Sequence, residues 1–78
     1  MSALDKEFDR QLGRRIQTYR QEQGLTQQQL AARLQIHGCD LTRSAVAKIE
    51  AGQRRISLRE FKIFCIALEI AYEALLDE

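Results

Sequence analysis

The chain contains no apolar run approaching the ~20 residues that a membrane-crossing helix needs. Nor does it begin like a secretory leader, since Asp5, Glu7 and Asp9 make its first residues acidic and polar. These absences lead us to expect a cytoplasmic protein with no membrane partner. Only two cysteines are present, Cys39 and Cys65, and in a reducing compartment they are expected as free thiols. No Gly-rich phosphate loop occurs. The single histidine, His37, stands beside Gly38 with no Ser/His/Asp or Cys/His set around it. We therefore expect no enzyme, no catalytic residue and no cofactor. His37, Cys39 and Asp40 place three candidate metal ligands close together, but with no partner cluster elsewhere they lack the spacing of a zinc site. A solvent-facing loop without metal is expected there.

Seventy-eight residues allow one domain, residues 1–78. A chain of this size buries only roughly 60 % of its unfolded surface, so its stability margin is small. The net charge of +1, taken alone, argues against a nucleic-acid partner. Its distribution argues the other way. Residues 10–62 hold eleven Lys/Arg against four Asp/Glu, a net +7, while residues 1–9 carry −2 and residues 63–78 carry −4. A basic middle between acidic ends is the asymmetry expected of a nucleic-acid binder, although an ordinary mixed surface fits charge alone equally well.

Hydrophobic spacing predicts five helices and no strand, an all-α fold. Phe8, Leu12, Ile16 and Tyr19 recur at helical spacing and predict a helix over 4–23, capped by Ser2 or Asp5 and ended by Gly24. A second helix over 27–34 has Thr26 as N-cap, Gln29 to complete a capping box and Leu25 to staple onto Leu30. Leu30, Ala31 and Leu34 form its inner face. Residues 35–41 form a turn, with Ile36 and Leu41 tucked inward. A third helix over 43–51 has Thr42 as N-cap, Val46 and Ile49 facing inward and Gly52 as a left-handed cap. The small residues Ala31, Ala45 and Ala47 allow the second and third helices to approach closely. Ser57 and Glu60 box the start of a fourth helix over 58–68, whose core stripe is Leu58, Phe61, Phe64 or Cys65, and Leu68. A short fifth helix covers 71–76.

The second and third helices, about 26–51, read as a helix-turn-helix, in which the second helix of the motif enters the DNA major groove. Its outward face would be Arg43, Ser44, Ala47 and Lys48. Arginine can fork onto guanine and serine can bond to any base edge. Gln27 and Gln28 stand where a helix N-terminus can present N–H groups to a phosphate. Arg54 and Arg55, just past the third helix, suit backbone phosphates. On the fourth helix Ile63, Ile66 and Ile70 form a second apolar stripe, with Tyr72 after it. This stripe is a candidate dimer interface; the alternative is that Leu4 and Phe8 cover Ile63 and Ile66.

The segments 12–20, Gly24-Leu-Thr-Gln27, 30–34, Ser44-Ala-Val-Ala-Lys-Ile-Glu50 and Gly52 resemble the Cro and phage-repressor type of helix-turn-helix, the xenobiotic-response-element family. The resemblance covers residues 12–76. It implies a compact five-helix, lambda-repressor-like DNA-binding domain. It also implies a homodimeric transcriptional regulator, a repressor, acting on a two-fold operator in double-stranded DNA. By the same resemblance Arg43, Ser44 and Lys48 fall where the family reads bases, and Thr26 and Gln27 where it meets phosphates. Arg20 and Glu50 fall where many members hold a structural ion pair. Three departures stand out. The turn is about five residues longer than the family's usual one, Glu69 and Ala71 replace the usual glycine and capping serine before the fifth helix, and Ile63 and Ile66 replace polar residues. Two rival readings share this fold: an antitoxin that binds its own promoter and a toxin protein, and an interaction module that no longer binds DNA. Arg43, Lys48, Arg54 and Arg55 argue against the last.

Overall fold

The computed structural model describes residues 3–76, with side chains from residue 5 onward. The expected cap Ser2 and the Leu4 side chain lie outside the described residues. Five helices follow in order: α1 (Ala3–Glu22), α2 (Gln27–Ile36), α3 (Arg43–Glu50), α4 (Leu58–Leu68) and α5 (Tyr72–Leu76). The starts are fixed by side chains. Thr26 and Gln29 form both halves of a capping box at α2, and Ser57 and Glu60 do the same at α4. Thr42 Oγ1 accepts from the Ala45 N–H at α3. Each such cap stabilises its helix by about 1 kcal/mol.

The ends of α1 to α4 share one device. The N–H of the residue just after a left-handed pivot reaches back five residues: Leu25 to the Arg20 carbonyl, Cys39 to Leu34, Gln53 to Lys48 and Ile70 to Cys65, at 2.8–3.1 Å. The pivot is left-handed in every case, a glycine after the first three helices and Glu69, at φ 56°, after α4. Glu69 therefore takes over the conformation expected of a glycine there, and α5 forms at Tyr72 without the capping serine. The device also explains why α2 outruns its expected end by two residues. Gly38, not an earlier residue, is the first that supplies the left-handed turn. With α2 continued to Ile36, successive side chains advance by about 100°, so Ile36 points away from the inward Leu34. Ile36 is 80 % exposed and does not tuck inward; Leu41 does.

Phe64, Ile16, Leu30, Leu34, Val46, Ile49, Leu68 and Leu75 form the centre of the core. α4 packs against both α1 and α2, so it buries a wide arc rather than one stripe. That arc takes in Ile63, which is buried in the core and leaves the outer stripe to Ile66, Ile70 and Tyr72. Leu58 stands at the first residue of α4, before the turn that meets the core, and is 84 % exposed rather than part of the core stripe. Phe8 is likewise half exposed, because the first turns of α1 extend beyond the packed body. It shares a shallow apolar groove with Leu12, Ile56, Leu58, Phe61 and Leu76, and so does not cover the Ile66 surface.

Cys39 and Cys65 are buried free thiols, and burial raises the pKa of both. For Cys39 this corrects the expectation of a wholly solvent-facing loop: His37 and Asp40 are exposed, but the thiol packs beneath them into the core.

Candidate nucleic-acid interface

The periodicity of α3 separates two faces. Val46, Ile49 and Glu50 are buried, while Arg43, Ser44 and Lys48 are exposed and Ala47 lies half-buried between them. Among the described residues neither Arg43 nor Lys48 pairs with an acid. Two cations, a hydroxyl and a methyl are thus presented outward on a helix narrow enough for a major groove, with hydrogen-bonding capacity free for base edges.

The C-terminal end of α3 is held by a charge cluster. Arg20 Nε donates to Glu50 Oε2 at 2.6 Å and Arg20 Nη2 to Glu50 Oε1 at 3.0 Å. Gln27 Nε2 adds a third bond to Oε1 at 3.1 Å, and Arg20 Nη1 donates to the Leu25 carbonyl. Both charges are buried, with side chains 9 % and 2 % exposed. The cluster joins α1, the start of α2 and α3, so it fixes the angle of α3 across the long turn. A second tie is backbone packing: a Cβ on Gly13 of α1 would lie 2.2 Å from the Ile49 carbonyl oxygen and 2.7 Å from that of Glu50.

The residues expected at phosphates are more engaged than sequence suggests. The Thr26 hydroxyl accepts its capping bond, and the Gln27 amide is committed to Glu50, whereas Gln28 is exposed. Arg54 forks onto Glu60 with two bonds of 3.2 Å. Those bonds hold the Glu60 carboxyl below the usual carboxylate range and raise the Arg54 guanidinium. Arg55 Nε donates to the buried Asp9 at 3.4 Å. Neither arginine dangles. The pairs pin the loop after α3 onto α4 and α1, and Arg55, with a half-exposed side chain, keeps other N–H donors free.

Sequence reasoning left the polar face of α1 without a role. The structure places Arg10, Arg14 and Gln17 along one cleft with Gln27, Ala47, Glu50 and Ala51, at the edge of the α3 face. The available signal was the spacing of Lys6, Arg10 and Arg14 at i, i+4 and i+8, one helical face. No helix among the described residues is long and apolar enough to cross a membrane.

A family model described as a helix-turn-helix domain matches residues 11–78. Among solved structures the chain is similar to the restriction-modification controller protein C.AhdI from Aeromonas hydrophila. The two are 31 % identical and superpose with a TM-score of 0.79, over 90 % of this chain and 94 % of that one. No curated protein matches the chain in sequence.

Proposed function

The chain belongs to the helix-turn-helix domain family, and from that premise we propose how it works as a sequence-specific DNA-binding transcriptional regulator. α3 enters the major groove, where Arg43, Ser44, Ala47 and Lys48 meet base edges. Thr26, Gln27 and Gln28 at the start of α2, with Arg54 and Arg55 after α3, lie against the flanking phosphates. The observation that carries this reading is the α3 surface itself: exposed Arg43, Ser44 and Lys48 on a helix anchored from behind by the buried Arg20–Glu50 pair. Likeness to a restriction-modification controller supports repression or activation of genes of such a system; it lends nothing to the antitoxin alternative.

Arg43→Ala is expected to cost roughly 1–3 kcal/mol on a site selected from random duplexes and to relax preference at one base pair. Arg55→Ala should instead weaken all sequences alike. Equal losses on selected and random duplexes for Arg43→Ala would remove it as a base reader.

One recognition helix touches too few base pairs to find an operator in a genome. Two related by a two-fold axis, roughly 34 Å apart, read a palindrome. The homodimer surface we propose is the apolar area where α4 passes into α5, made of exposed Ile66 and Tyr72 with the half-buried Ile70 between the helices. Ile66→Lys should yield a folded monomer in sedimentation, with weakened operator binding. A variant that sediments as the parent does would place the interface elsewhere.

A further inference from the structure

We propose that α1 carries a second DNA-backbone surface, a ridge of Lys6, Arg10 and Arg14 that extends the contact past the helix-turn-helix to flanking phosphates of the same duplex. The proposal rests on the DNA-binding reading above and adds a surface to it. The three cations stand on one face of α1 at spacing of four residues. That face is carried to the edge of α3. α1 meets the end of α3 at Gly13, and a Cβ on Gly52 would lie 2.8 Å from Arg10 Cα. Arg10 and Arg14 share a cleft with Ala47 of the reading face, and Lys6 and Arg10 share the adjoining one with Arg55.

The charge of these clefts is positive in effect as well as in number. The acids lining them are Glu50 and Asp9. Glu50 has both oxygens held by Arg20 and one also by Gln27, and Asp9 is paired with Arg55. Arg10 pairs with Glu7 at 3.3 Å, but both side chains are more than half exposed, so a phosphate can replace the carboxylate at little cost. Arg14 has no acid partner among the described residues. From Lys6 to Arg14 the ridge is about 12 Å long. A duplex strand places one phosphate per about 3.4 Å of its axis, so the ridge spans on the order of three of them. A regular polyanion beside the reading helix fits this surface.

The test is the salt dependence of binding of the full chain to its selected duplex, with phosphate-ethylation interference on the same complex. Lys6→Gln/Arg10→Gln/Arg14→Gln should make the log K against log salt slope shallower by roughly 2–3, about 0.9 for each phosphate lost. Base preference should be unchanged, and interference should vanish at the flanking phosphates. Arg14→Gln alone, which breaks no ion pair, should shift the slope by about 0.9. Parental slope and footprint in both variants, while Arg43→Ala still relaxes base preference, would overturn the ridge and leave the DNA reading standing. A parent protein with no salt-dependent duplex binding would overturn both.

Discussion

Glu50→Ala is expected to lower the unfolding free energy by about 3–5 kcal/mol, because it strands a buried arginine. Arg20 would keep one bond, to the Leu25 carbonyl, and lose its two bonds to a carboxylate that is itself 2 % exposed at the side chain. Domains are stable by only ~5–15 kcal/mol in total, and one this small stands toward the lower end. The variant should therefore unfold at a much lower urea concentration, and a sizeable fraction should be unfolded without urea. Loss of DNA affinity should follow, since the same carboxylate joins α1, α2 and the end of α3. A double-mutant cycle with Arg20→Ala separates the pair from the residues. Strong coupling is expected; additive losses would show that the pair contributes nothing of its own.

Gly13→Ala should also destabilise, although intrinsic propensity favours it. Alanine in the middle of a helix is better than glycine by roughly 1 kcal/mol. Against this, the new methyl would stand 2.2 Å from one backbone carbonyl oxygen of α3 and 2.7 Å from the next. Backbone at a helix end cannot swing aside as a side-chain tip can, so α1 and α3 must separate. Overpacking of this kind costs about 1–3 kcal/mol and sometimes more. The net loss should appear as a lower melting temperature. Because the displaced element is the recognition helix, DNA affinity should fall further than the loss of folded protein explains. Melting at or above the parental temperature would show that the helices part without strain.

These two positions mark where sequence was and was not informative. The caps of α2, α3 and α4 were legible, because Thr26, Thr42 and Ser57 act within their own first turn. The two faces of α3 followed from periodicity for the same local reason. The family resemblance led to the Arg20–Glu50 pair. Gly13 carried no such signal: its role depends on a carbonyl 36 residues away in the chain. Ile63 and Leu58 show the limits of a stripe. Which side of α4 is covered depends on α1 and α2 packing around it, so an isoleucine assigned to the surface is core and a leucine assigned to the core is exposed. The assignment of Arg54 and Arg55 to phosphates carries no sign of their ion pairs, because the partners, Glu60 and Asp9, lie on other elements.

The most direct test of the central claim is equilibrium binding of the full chain to a duplex selected from a random pool, beside a scrambled duplex, across a salt series. Sequence-specific regulation predicts affinity for the selected duplex at least ~10³-fold above the scrambled one. It also predicts a log–log salt slope of about −3.6 per protomer for roughly four phosphates in the helix-turn-helix, steeper with the α1 ridge engaged. Equal affinity for the two duplexes, or no binding at about 50 mM salt by folded protein, would contradict it.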